Sequence, residues 1–140
     1  MNTRKFIEWL SFHPTFDEIA RALVTDYLAD LGVCAVRFGR IQSDDSAIVL
    51  GQFGYPDENE YKDKVFPASQ WRLWDRAEID IITGKNKSQW APNSRLCVIT
   101  LRDRGVIQGN IVFEFSQEIG DGEKSSVLEI VEDFCVSVAL

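Results

Sequence analysis

Apolar residues in the first part of the chain recur with the spacing of an amphipathic helix. Over 16–31 they fall every three or four positions, which places them on one face of a 3.6-residue period. Thr15 and Glu18 form a capping box in front of this stretch, and Gly32 follows it, where helices commonly end. The pattern predicts a long helix over 16–31, with a shorter one before it over 4–10.

The pattern then changes to the alternation that is typical of strands. Two pairs of alternating segments are each joined by a short polar turn, so each pair predicts an antiparallel hairpin. A glycine within the second hairpin, Gly109, indicates a bulge or a close backbone approach. The predicted strands cover 33–41, 47–53, 95–102 and 106–115, with a short edge strand over 64–67.

The remaining segments predict further helices. Residues 68–92 are irregular and contain three of the four tryptophans, with a short helix expected over 75–82. Apolar residues over 123–138 step by four, three and four, which predicts a terminal helix. The order of elements indicates one α+β domain over 1–140. We expect an antiparallel sheet of five to six strands, with the terminal helices on one face and the crossover on the other.

Composition and charge narrow the classes of protein. The chain has 140 residues, 45% of them hydrophobic, which suits a soluble globular protein. There is no membrane-length apolar run and no secretory signal, so we expect a cytoplasmic protein. Fifteen basic against 22 acidic residues give a net charge of −7, which predicts that this segment does not bind nucleic acid directly.

Metal and cofactor chemistry has little support in the sequence. Cys34, Cys97 and Cys135 are widely spaced, and His13 is the single histidine, so a structural zinc site is not expected. Each cysteine lies between apolar neighbours, which is typical of a reduced, buried thiol. We therefore predict no metal, no cofactor and no catalytic residue.

The tryptophan-rich crossover is the strongest candidate for a ligand site. Aromatic side chains in an irregular segment can line an apolar concave pocket, with polar residues at its rim. The alternative is that these tryptophans only seal the second face of the sheet, as aromatic residues do in most cores. The predicted ligand-binding residues are Phe66, Trp71, Trp74, Asp75, Trp90 and Arg95.

The terminal helices are the candidate dimer interface. The last helix is apolar over an arc wider than a single stripe, which suggests that it buries two faces, one against the sheet and one against a second copy. We predict a homodimer with an interface that includes Phe6, Trp9, Leu10, Val131, Phe134 and Val138.

Three stretches together resemble a GAF domain. Residues 16–19 through 31–38 are similar to the family's first long helix entering its first strand. Residues 101–115 resemble its closing hairpin, in which a glycine precedes an apolar strand, and 128–140 resemble its final helix with the ending Ala-Leu. The ordered set spans nearly the whole chain.

The resemblance implies a regulatory sensor with a pocket roofed by the crossover and helices that often form a parallel dimer bundle. Such domains usually precede an output domain, and one candidate context that the resemblance implies is a LuxR-type or other helix-turn-helix transcription regulator. The cyclic-nucleotide signature is missing, because Asn86-Lys87 is followed by Ser88-Gln89-Trp90. Bilin attachment also lacks support, since no cysteine lies between Cys34 and Cys97. The alternative function is a small redox enzyme like the free methionine sulfoxide reductases, using Cys97.

Overall fold

The computed structural model describes residues 3–55, 62–71, 79–82 and 96–115. Three helices lie within these ranges: α1 (Thr3–Leu10), α2 (Phe16–Ala22) and the single turn α3 (Ala68–Trp71). The strands are β1 (Val33–Ile41), β2 (Ala47–Phe53), β3 (Val65–Phe66), β4 (Ile79–Ile82), β5 (Leu96–Asp103) and β6 (Val106–Phe115).

The strands form one sheet in the order β3-β2-β1-β6-β5-β4, and every neighbouring pair is antiparallel. The two predicted hairpins are β1–β2 and β5–β6, and they meet in the centre where β1 pairs with β6. The predicted α+β class with an antiparallel sheet is confirmed. Beside Gly109 the register shifts, because Leu101 pairs with Gly109 while Arg102 pairs with Ile107. The irregularity expected near Gly109 is therefore present.

The predicted long helix over 16–31 is instead three pieces. Its start is as expected, since the Thr15 hydroxyl accepts from Glu18 N at 3.1 Å. After Ala22 the backbone widens into a π-helical turn, Leu23–Tyr27, and a 3₁₀ turn, Ala29–Leu31, follows. Regular α-helix would point Leu23 and Leu28 about 140° apart, whereas both are fully buried here. The wider turn thus allows both leucines to be buried in the core, and it interrupts the α-helix.

The helices cover one face of the sheet. Phe6 of α1 and Leu23 join a buried cluster with Phe38 of β1 and with Phe113 and Phe115 of β6. Helix α2 lies directly on β2 at Gly51, where a Cβ would stand 2.6 Å from Phe16 Cβ and 2.7 Å from Asp17 N. The glycine is therefore required by the close approach of the helix.

The helix predicted over 75–82 is wrong where the structure describes it. Ile79–Ile82 forms strand β4, which pairs with β5 at the edge of the sheet. Three of its four residues are isoleucines, and such β-branched side chains favour extended backbone beside an available strand. Residues 75–78 and the helix predicted over 123–138 lie outside the described residues. None of the helices in the described ranges has the length and hydropathy that spanning a bilayer requires.

Candidate ligand site on the second face of the sheet

The side of the sheet opposite α1 and α2 carries a mixed polar and apolar surface, which we call the second face. Because side chains alternate along a strand, the β1 positions Arg37 and Gly39, which flank the core residue Phe38, face away from the helices. The register then places residues of the neighbouring strands beside them. The second face is defined here by Arg37, Gly39, Ala47, Val49, Asn110, Val112 and Glu114.

A buried ion pair occupies one end of the second face. Arg37 Nη1 lies 3.1 Å from Glu114 Oε2, and the two side chains are 7% and 2% exposed. The same Nη1 donates to Tyr55 Oη at 2.8 Å, and the guanidinium carbon lies 5.8 Å from the centre of the Tyr55 ring. Removing one partner of such a buried pair leaves an uncompensated charge and commonly costs about 3–5 kcal/mol. We call these three residues the Arg37 cluster.

Tyr55 reaches Arg37 because Gly54 precedes it. Gly54 has φ +96°, a conformation that L side chains rarely adopt, and a Cβ there would clash with Cys34 O. The end of β2 therefore passes tightly against the start of β1. Burial then raises the pKa of Tyr55 well above its usual value, although the nearby Arg37 charge partly opposes this. The phenol stays protonated at neutral pH.

Cys34 lies beside the Arg37 cluster and is chemically quiet. Its Sγ donates to Glu114 O at 3.4 Å. Burial, with a further contribution from the Glu114 charge, raises the pKa of the Cys34 thiol to about 12. Because the thiolate is the nucleophile, this cysteine does not act as one near neutral pH.

A cavity of about 10 Å³ lies on the second face next to Arg37. That is about the space of one water molecule. Its polar lining comes from Asn110 and Arg37, and one wall is the half-buried Phe66 of the two-residue strand β3. Aliphatic and glycine residues complete it: Gly39, Ala47, Ile48, Val49 and Val112. In the described ranges, no three His, Cys, Asp or Glu residues converge as metal ligands.

Comparison with known proteins identifies the fold. No family model matches the sequence. A search of curated proteins also finds no match. Solved structures do match: the phycoerythrobilin-bound GAF domain of a cyanobacterial phytochrome has a TM-score of 0.61 at 14% identity, with 98% of this chain and 94% of that one covered. The chain has the GAF fold.

Two other GAF domains show the same likeness. That of the Acinetobacter phosphoenolpyruvate-protein phosphotransferase has a TM-score of 0.65 at 10% identity, covering 96% of this chain and 89% of that one. The A. aeolicus nlh2 GAF domain in an inactive state has a TM-score of 0.64 at 16% identity, with coverages of 96% and 86%. At these identities the comparison establishes the fold alone, and it confirms the resemblance seen in the sequence.

The structure describes only two of the six predicted ligand-binding residues, Phe66 and the backbone of Trp71. Phe66 lines the cavity. Trp71 ends α3, but its side chain lies outside the described part of the chain. The other four predicted residues also lie outside it: Trp74, Asp75, Trp90 and Arg95.

The predicted dimer residues of α1 contact the chain's own core. Phe6 is 0% exposed and Leu10 9% exposed. Trp9 is partly buried, with its ring centre 5.7 Å from that of Phe6. In this conformation Phe6 has no surface to offer a partner, whereas Trp9 does. The other predicted interface residues, Val131, Phe134 and Val138, lie outside the described residues.

Sequence reasoning missed the polar residues of the second face. Arg37, Asn110 and Glu114 each lie inside an apolar strand segment, in Val-Arg-Phe, Gly-Asn-Ile and Phe-Glu-Phe. A charged residue flanked by bulky apolar ones in a central strand is itself a signal, because such a side chain is rarely buried unless it is paired. That signal could have been recognised before the structure.

Proposed function

We propose that this chain is a non-catalytic sensory domain that binds a small molecule on the second face of its sheet. The observation that carries the proposal is the Arg37 cluster beside an apolar-walled cavity, because ligand sites combine mainly apolar linings with a few placed polar groups. The bilin-bound GAF domain with the same fold gives a precedent for small-molecule binding, though not for this ligand.

The proposal extends to regulation. A ligand that binds one arrangement of the domain more tightly than another shifts the population between them. We propose that the domain works as a homodimer through its terminal helices, in a cytoplasmic signalling or transcription-regulatory protein. Strand β2 supports such coupling, since it meets α2 at Gly51 and lines the cavity at Ala47 and Val49.

The non-catalytic assignment is supported by the state of Cys34. With a pKa of about 12, this thiol does not supply the thiolate that a redox enzyme needs at neutral pH. Cys97 lies on β5, where the register pairs it with Phe113 of β6 and Ile81 of β4. Within the described ranges, no observation favours the redox alternative over a sensor.

Native mass spectrometry of the full chain, as purified from cells, tests the proposal. We expect a fraction of the protein to carry a small molecule, which raises the melting temperature when added back. Trp74→Ala, on the predicted roof, should weaken that response. Phe12→Ala, an 81% exposed aromatic outside the predicted pocket and the predicted interface, is the matched control and should leave it intact. The proposal would be contradicted if both variants showed the same ligand-induced rise in melting temperature as the wild type. It would also be contradicted if no preparation carried a bound molecule.

A further inference from the structure

Asn110 is a buried polar side chain without a hydrogen-bond partner among the residues that the structure describes. It lies on β6 and is only 6% exposed. The other buried polar residues in the described ranges have interaction partners within the chain: Arg37, Ser46, Gln52 and Glu114. Folded proteins pair nearly all buried polar groups, so an unpaired one needs an explanation. Because Asn110 lines the cavity, its missing partner can come from outside the chain.

Gly39 leaves room for the Asn110 amide. The two residues are paired across β1 and β6. A Cβ at Gly39 would lie 2.7 Å from Asn110 Oδ1 and 3.8 Å from Nδ2, so the amide rests against bare backbone. A carboxamide carries an acceptor and two donors in one plane. It can therefore form two parallel hydrogen bonds with a molecule that has a donor next to an acceptor.

The charges around the cavity favour a neutral ligand. Arg37 is the charged side chain in the described lining, and Glu114 already compensates it at 3.1 Å. A ligand with net charge would be buried without an available counter-charge there, which is costly. The remaining lining is aliphatic and aromatic, which suits an apolar body behind the polar edge.

Phe66 is the part of the cavity wall that lies on a short edge strand. Its strand, β3, has two residues that pair with Ala47 and Ile48 of β2, and Val49 of β2 also forms backbone hydrogen bonds with the preceding Lys64 and Asp63. Displacing or shortening this half-buried side chain would enlarge the cavity beyond the space of one water. The central strands that hold Gly39 and Asn110 would not need to move.

We propose that Asn110 is the recognition residue of the site and binds an uncharged ligand with a donor and an acceptor side by side, as in a cyclic amide or a nitrogen heterocycle. This inference rests on the proposed function, because it names the ligand class of the same face.

The test uses δ-valerolactam as the probe and N-methyl-δ-valerolactam, which lacks the donor, as its matched analogue. Titrated into the full chain and followed by amide NMR, the lactam should shift the side-chain NH₂ signals of Asn110. The N-methyl analogue should bind about tenfold more weakly. Asn110→Leu should lose about tenfold in lactam affinity. Gln52→Leu, at a buried amide on β2 outside the cavity lining, should bind the lactam like the wild type.

A second variant keeps the inference testable if Asn110→Leu fails to fold. Phe66→Ala should bind the lactam more tightly than the wild type, because it opens the cavity without touching the amide. Equal lactam affinity in wild type and Asn110→Leu, unmoved Asn110 signals, or no gain in Phe66→Ala would overturn the inference. A cellular ligand retained equally by wild type and Asn110→Leu would also overturn it, while leaving the proposed sensor function standing.

Discussion

Two residues beside the ion pair, Tyr55 and Cys34, make the fold sensitive to alkali. Burial raises the pKa of the Tyr55 phenol well above 10 and that of the Cys34 thiol from 9.0 to about 12. The folded state thus holds both protons more tightly than the unfolded state. Their contribution to stability is complete below about pH 9 and is lost as the pH rises, first through Cys34 and then through Tyr55.

We therefore expect the free energy of unfolding to fall above pH 9, with a shallower slope in Cys34→Ala between pH 9 and 12. Denaturant unfolding at a series of pH values measures it. Tyr55→Phe should flatten the slope above pH 10. Tyrosinate absorbance should show one of the three tyrosines ionising only as the protein unfolds. If neither substitution changed how steeply the free energy of unfolding falls with pH, Cys34 and Tyr55 would be excluded as the cause of that fall.

Replacing each of three glycines with alanine distinguishes the stability cost of backbone strain from that of steric overlap. Gly105 has φ +79° with open space around its missing Cβ, so Gly105→Ala should cost only conformational strain, about 1 kcal/mol. Gly51→Ala meets the backbone of α2 at 2.7 Å and should cost about 1–3 kcal/mol through overpacking. Gly54→Ala combines positive φ with a steric clash against Cys34 O and should be the most damaging.

Thermal and denaturant unfolding of the three variants would rank them. Gly105→Ala serves as the internal control, because its turn faces open space. If Gly51→Ala were as mild as Gly105→Ala, helix α2 would not lie against β2 as closely as the structure has it.

At the level of elements, Asp17 joins helix α2 to the sheet. Its Oδ1 accepts from Gln52 N of β2 at 2.8 Å, and its Oδ2 lies 3.0 Å from Lys62 Nζ. Asp17→Ala removes the acceptor for a strand-end N–H and should cost about 1–3 kcal/mol in the free energy of unfolding. Asp17→Asn keeps an acceptor and should cost less.

Lys62→Ala is the matched control for this contact. The ion pair is solvent-exposed, with side chains 41% and 44% accessible, so its loss should change stability little. Equal effects of Asp17→Ala and Lys62→Ala would show that the ion pair, not the hydrogen bond to the strand, holds α2.

The same elements show what the sequence pattern could and could not predict. Strands β1 and β2 begin and end where the sequence pattern predicts, because the polar turn over 42–46 separates them. The helix over 16–31 was predicted as continuous, since periodicity does not reveal that Leu23 and Leu28 must share a face. Strand β4 was missed because its extended form depends on β5, a partner distant in sequence.

The site was harder to predict for a related reason. Phe66 was identified from the crossover, but the Arg37–Glu114 pair joins residues 77 positions apart. It exists because the β1–β6 register places Ala35 opposite Glu114 and Arg37 opposite Val112. No local pattern carries that register. The Asn110–Gly39 contact depends on it in the same way.

At the scale of the whole molecule, the remaining question is what pairs with the helical face. Phe6 and Leu10 belong to the core of the single chain, so a partner copy would contact α1 chiefly through Trp9. We expect light scattering to give about twice the monomer mass of 15.9 kDa. Val131→Asp or Phe134→Asp, in the predicted terminal helix, should reduce it to the monomer value because a charge would be buried at the interface.

Trp9 and Phe12 provide a matched pair for the same measurement. Trp9→Ala should weaken dimerisation and leave a folded chain, whereas Phe6→Ala should destabilise the monomer, since that side chain is fully buried. Phe12→Ala removes an aromatic ring that is 81% exposed and lies outside the predicted interface, so the mass should stay that of the dimer. A single-chain mass at every protein concentration would refute dimerisation through these helices. Signalling through the second face would then have to act within one chain, along the contact of β2 with α2.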